Sequence, residues 1–219
     1  MLAVIRVLTT DNPVSLEKHG RIITERFGIA TRSYCIPDQF QGIYDDATER
    51  QAVPKIVEVV KQAERDGAQA VFISCAADPG LKEARANCRL PVIGAGSALA
   101  TVGLALGERI GVLNLAGPTP AGIVSLLGSR LVAEETPCGV HNTTDLLAHK
   151  AEALTAAQAL IRKGAEVILL ACTGYSTIGL AACIAERFGC LTVDAVEAGG
   201  LMASYLYKSN SSLLSGGHT

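Results

Sequence analysis

Residues 66–75 read DGAQAVFISC and residues 163–172 read KGAEVILLAC. One pattern thus occurs twice: a Gly-Ala pair, a short apolar run, then a cysteine. The Gly67/Gly164 and Cys75/Cys172 pairs are each separated by 97 positions. Equal offsets at both ends of the motif mark an internal duplication, which restricts the chain to folds built from two similar halves. In each copy a long segment with helical apolar spacing precedes the Gly-Ala pair. A turn, a helix-like stretch and a short strand-like stretch follow the cysteine.

The apolar runs show no polar alternation, the pattern of parallel strands covered on both faces. With 219 residues, 49% hydrophobic and no Trp, the chain can make one large domain or two small ones. The expected fold class is α/β: two pseudo-symmetric Rossmann-like lobes with parallel sheets and an interlobe active-site cleft. Residues 1–97 with 198–219 are expected to form the lobe carrying Cys75, and residues 98–197 the lobe carrying Cys172. Strands are predicted over 4–8, 31–36, 70–74, 91–94, 109–114, 130–134 and 167–171. Helices are predicted over 14–27, 48–66, from 82 onward, 97–106, 118–127, 145–163 and 197–207. Gly67 and Gly164 close the two long helices that lead into the cysteine-bearing strands. The segment 37–49, rich in Pro, Gly and Asp, reads as a surface loop and candidate lid, and the tail after Lys208 as frayed.

The runs 90–107 and 167–185 carry no charge and approach the length of a membrane span. Gly-Ala-Gly-Ser in the first and Thr-Gly-Tyr-Ser-Thr in the second break each into a strand, a turn and a helix, so neither is expected to span. A net charge of −2 without a basic stripe argues against nucleic acid as a partner. Seven cysteines, an odd number without a CxxC pair, argue for reduced thiols in the cytoplasm rather than a disulfide framework. Arg6 and Asp11 interrupt the first apolar run, so no signal peptide is expected. The implied partner is a small molecule. The apolar helices further suggest a homo-oligomer.

In an open parallel sheet, ligands bind at the carboxyl ends of the strands, and each half places its cysteine there. Two thiols facing each other across a cleft suit proton abstraction from one side of a carbon and delivery to the other. The thiolate is a competent base whose pKa is tunable from about 8.5. Backbone N–H groups in the following turns, at Ala76, Thr173 and Gly174, are placed to hold the oxygen of an enolate. Such a scheme calls for neither metal nor organic cofactor. The other five cysteines read as small apolar filler.

The segment SCAADPGLKEAR, followed by PVIGAGSA, resembles the first active-site region of hydantoin and allantoin racemases in the Asp/Glu racemase superfamily, and LLACTGY resembles its second cysteine motif. Together with the first strand and the Asn12-Pro13 turn, the resemblance spans nearly the whole chain. It implies that Cys75 and Cys172 are the acid/base thiols of a cofactor-independent racemase of 5-monosubstituted hydantoins or related cyclic ureides. The Asp-Pro-Gly-Leu run after Cys75 favours that branch over glutamate racemases, where Asn-Thr usually follows the first cysteine. The alternatives are an aspartate/glutamate-type racemase, a related diacid isomerase or decarboxylase, and a two-lobed small-ligand-binding protein without catalysis.

Further substrate-binding candidates are Asn12, in the first strand–helix turn, Ser97, in the turn after the fourth strand, and Tyr44, on the candidate lid. Asn12 and Ser97 read equally well as helix caps, and Tyr44 as a surface residue. Asp78 reads as the N-cap of the helix that follows Cys75. His141 and His149 lack metal-ligand spacing and read as surface histidines. Gly94-Ala95-Gly96 lacks the spacing and lysine of a phosphate loop.

Overall fold

The computed structural model of the chain describes residues 1–43, 45–143 and 145–209. It divides into two compact units. Of the described residues, 1–74, 79–94 and 199–209 form the first; residues 75–78 and 95–198 form the second.

In the first unit the order is β1 (Leu2–Arg6), α1 (Pro13–Phe27), β2 (Thr31–Cys35), α2 (Asp46–Arg65), β3 (Ala70–Ser74), α3 (Leu81–Asn87) and β4 (Val92–Gly94). The strands form a parallel sheet in the order β2-β1-β3-β4. Both inner strands, β1 and β3, are buried at every position, as expected of strands covered on two faces. Helix α1 starts where the side chain of Asn12 accepts from the N–H groups of Val14 and Ser15, with Pro13 at the first turn, and it stops at Gly28 in the left-handed region. Helix α2 opens on a capping box between Asp45 and Thr48 and buries Ala52, Ile56, Val57, Val60 and Ala63 along one face.

The second unit contains α4 (Ala95–Leu106), β5 (Ile110–Asn114), α5 (Ala121–Leu127), β6 (Leu131–Glu135), α6 (Lys150–Arg162), β7 (Val167–Ala171), α7 (Gly174–Thr177), α8 (Leu180–Phe188) and β8 (Leu191–Asp194). It also holds the first turn of α9 (Ala195–Ser209). Its sheet is again parallel, in the order β6-β5-β7-β8. Replacing β1 to β4 by β5 to β8 converts one strand order into the other, so the duplication in the sequence is a duplication of topology. The register repeats as well. Arg6 ends β1 beside Ser74, and Asn114 ends β5 beside Ala171, so the residues preceding Cys75 and Cys172 occupy equivalent places.

Each sheet is covered closely by a helix through a glycine. A Cβ added at Gly103 of α4 would lie 2.6 Å from the Leu169 side chain, and one added at Gly199 of α9 would lie 2.2 Å from the Phe72 ring. Phe72 is fully buried, worth about 1.5–3 kcal/mol relative to exposure.

Two predicted helices begin later than their apolar spacing suggests. The segment 118–127 becomes helical only from Ala121, because the residue before Pro120 is biased away from the helical region. The segment 145–163 is split into a 3-10 turn over Asp145–Leu147 and α6. There the Asp145 carboxylate is engaged by the N–H groups of His141 and Asn142, which ties the start of the segment to its own loop. The two uncharged runs divide into strand and helix, and among the described residues no helix is long and apolar enough to cross a membrane.

Candidate active site

Cys75 and Cys172 each stand one residue beyond a buried inner strand, β3 and β7. After each cysteine the chain makes the same reversal. The N–H of Asp78 donates to the carbonyl of Cys75 at 3.0 Å, and the N–H of Tyr175 donates to that of Cys172 at 3.2 Å. Both thiols are partly buried.

The Cys172 sulfur accepts from the N–H of Gly174 at 3.3 Å. Burial pushes this thiol up, and the Asp194 carboxylate adds to that, while the Gly174 N–H and the Thr143 hydroxyl work against it. Gly174 admits no side chain here, since a Cβ would meet Thr143 at 2.6 Å and Leu146 at 2.8 Å. Tyr175 is fully buried and donates from its hydroxyl to the Asn114 carbonyl at 2.7 Å; burial holds its phenol protonated.

Each thiol turn is braced against the first turn of a helix by a carboxylate. In the first copy the carboxylate belongs to the turn itself. Asp78, with φ +54°, accepts from the N–H groups of Gly96 and Ser97, both at 2.7 Å, and from the Ser97 hydroxyl. In the second copy the carboxylate belongs to the strand end. Asp194 accepts from the Ser176 hydroxyl of the thiol turn at 2.6 Å and from the N–H groups of Val196 and Glu197 at 2.8 and 3.1 Å. Carboxylate and hydroxyl have exchanged sides between the copies. The expectation that Asp78 caps the helix next in sequence is therefore corrected. Helix α3 starts at Leu81 with Gly80 at its N-cap and no side-chain cap, and the left-handed turn at Asp78 aims its carboxylate at α4 instead. The turn and α4 meet so closely that a Cβ on Gly96 would lie 2.1 Å from the Ala76 carbonyl oxygen.

Of the residues singled out as substrate contacts, Ala76, Ser97, Thr173 and Gly174 all lie in the second unit, in or against the two thiol turns. Ala76 and Thr173 are buried. The Ser97 hydroxyl is committed to Asp78, and the Gly174 N–H to the Cys172 sulfur. Asn12 lies in the first unit, its side-chain oxygen occupied in capping α1. Tyr44 lies outside the described residues. Among those described, no cluster of three or more His, Cys, Asp or Glu has an arrangement able to hold a metal ion.

Two groups escaped the sequence reading. Thr143 sits in a loop far from Cys172 along the chain, with nothing in its neighbourhood to single it out. His19, on α1, is fully buried with Nδ1 at 2.8 Å from the hydroxyl of Ser74, the residue before Cys75. Burial, then Arg6 and Lys18, hold its imidazole well below the usual range, so it is neutral at pH 7. The helix over 14–27 was legible, but a histidine on it carries no sequence mark of its own.

Comparison with known proteins agrees with this architecture. Residues 26–203 match the family model described as Asp/Glu/Hydantoin racemase. A hydantoin racemase of Rhizobium meliloti is 31% identical over 175 residues, covering 75% of this chain and 71% of that protein. A hydantoin racemase of Pseudomonas sp. strain NS671 is 28% identical over 74% of this chain and 67% of its own length. Among solved structures, the allantoin racemase from Klebsiella pneumoniae superposes with a TM-score of 0.82 at 21% identity, over 95% of this chain and 87% of that one. The duplicated parallel-sheet topology and the match over most of the sequence place the chain in the Asp/Glu/hydantoin racemase family, as an isomerase of the racemase type.

Proposed function

We propose that this racemase acts on 5-monosubstituted hydantoins or related cyclic ureides, with Cys75 and Cys172 as its two acid/base groups and no organic cofactor. The observation that carries the reading is the equivalent placement of two thiols, each just past an inner strand and each opening the same hydrogen-bonded turn. The curated relatives, named as hydantoin racemases, support the substrate class.

The reacting hydrogen is the one on the carbon beside the ring carbonyl. A thiolate takes it as a proton from one face, and the C–H electron pair moves onto the carbonyl oxygen as an enolate. The opposite thiol returns a proton to carbon from the other face as that pair comes back. No electrons leave the system, and the enzyme ends with thiol and thiolate exchanged. Burial keeps Cys172 protonated, which suits it as the donor. When it acts as base, the Gly174 N–H and the Thr143 hydroxyl stabilise its thiolate. The N–H groups of Ala76 and Thr173 are assigned to the enolate oxygen, and Asn12 through its amide N–H, Ser97 as an acceptor at its hydroxyl oxygen, and Tyr44 to the rest of the substrate.

The test is racemisation of a 5-substituted hydantoin followed by optical rotation, with deuterium uptake at that carbon in heavy water. Cys75→Ser and Cys172→Ser should each lower racemisation by about 100-fold or more, while retaining hydrogen exchange for one enantiomer only. Undiminished racemisation in either variant sinks the two-thiol mechanism. Racemisation of free aspartate or glutamate but not of hydantoins moves the substrate to the amino acids, and carbon dioxide release moves the reaction to decarboxylation.

A further inference from the structure

Asn114 closes β5 with its side chain 2% exposed, and its Oδ1 is buried without a hydrogen-bond partner among the described residues. The orientation of the amide is set by its other end. Nδ2 donates to the Thr119 hydroxyl at 2.9 Å, and the amide's N–H side helps hold the Glu134 carboxyl below its usual range. An acceptor such as Glu134 cannot face Oδ1, so the oxygen is the unmatched atom. Leaving a buried amide oxygen unmatched costs free energy, and folded proteins leave few such groups without a protein, water or ligand partner.

The place of this oxygen in the fold says what it awaits. Asn114 pairs in register with Ala171, the residue before Cys172. Along β5 its side chain shares a face with Val112, whose register partner is Leu169. That face is covered by α4. A Cβ at Gly107, just past the helix end, would meet Val167, and one at Gly103 would meet Leu169. Helix α4 therefore runs antiparallel to β7, which carries its first turn, Ala95 to Ser97, toward the Asn114 end of the sheet. That same turn holds Asp78 of the Cys75 loop. Asn114 thus closes its strand beside the residue that leads into one thiol, at the carboxyl end of the sheet toward which the helix turn bracing the other is directed.

We propose that Asn114 Oδ1 accepts a hydrogen bond from a substrate N–H and selects for substrates that carry one, such as a ring nitrogen of a cyclic ureide. This rests on the racemase reading above and deepens it by naming the substrate group that is read. A site that offers a buried acceptor discriminates strongly against an analogue lacking the donor, because the acceptor is then left unmatched.

The experiment measures kcat/KM of the wild type and of Asn114→Ala on 5-benzylhydantoin and on its N1-methyl and N3-methyl derivatives. The wild type is expected to lose ten-fold or more on methylation of one of the two nitrogens. Asn114→Ala is expected to lose a similar factor on the parent compound and to be indifferent to that methyl group. Asn114→Ser, small and still able to bond Thr119, reads the same coupling if the alanine variant does not fold. Two outcomes overturn the proposal while leaving the racemase reading intact: a wild type indifferent to both methyl groups, as expected if Oδ1 holds only a structural water, or variants that keep the full wild-type discrimination. A wild type that racemises no hydantoin overturns the ureide reading and this proposal with it.

Discussion

Cys172 is a thiol kept neutral by its burial and yet surrounded by what its anion needs. The Gly174 N–H reaches the sulfur, the Thr143 hydroxyl opposes the rise in its pKa, and the Asp194 carboxylate supports that rise. Replacing Asp194 by Asn removes the charge and keeps an oxygen for Ser176, Val196 and Glu197 to bond. The pKa of Cys172 should fall in Asp194→Asn. The pH dependence of its alkylation by iodoacetamide, measured in a Cys75→Ser background, should move to lower pH, and an unmoved profile would deny the carboxylate that influence. His19 offers a second residue-level measurement. Its folded pKa lies well below 6.5, so below that pH the unfolded chain binds a proton that the folded chain refuses. Stability should therefore drop as pH falls below about 6.5, by at most about 1.4 kcal/mol per pH unit until the folded value is reached. Denaturant titrations at several pH values should show this slope in the wild type and a flatter one in His19→Gln; equal slopes would mean that His19 is not its source.

At the scale of elements, what lets one helix lie close on each sheet is an absence of side chain. Gly199 lets α9 lie against the ring of Phe72, and a methyl group there would lie 2.2 Å from that fully buried aromatic. Gly199→Ala should cost about 1–3 kcal/mol by overpacking, read as a lowered midpoint in thermal or urea unfolding; an unchanged midpoint would show that the helix can shift without penalty. These elements were largely legible because their signals are local: uninterrupted apolar runs for β3 and β7, glycine stops for α2 and α6, spacing for the buried faces. The late start of α5 and the break before α6 were not, since they depend on what Thr119-Pro120 and Asp145 do to the backbone rather than on apolar period. Asp78 is the clearest case. As a residue type it reads as a cap, and it is one, but the left-handed turn at its own Cα decides which helix it serves.

At the scale of the molecule, the equivalent positions of Cys75 and Cys172 were legible because duplication leaves an equal offset in the chain, whereas Thr143, His19 and Asn114 have no counterpart at that offset to draw attention to them. Their roles arise from neighbours brought in by folding. The two copies keep one topology and the same register between their inner strands, and they diverge in how their cysteine turns are braced. The first thiol turn supplies the carboxylate of its brace and the second supplies the hydroxyl. A racemase interconverts mirror images of equal free energy in bulk solvent, so its equilibrium constant is one whatever the protein looks like. For a substrate with a single stereocentre the two directions must then share one value of kcat/KM, and under the two-thiol proposal the unlike surroundings of the two sulfurs can surface only as a trade within that ratio, the hand that is held more tightly being turned over proportionately more slowly.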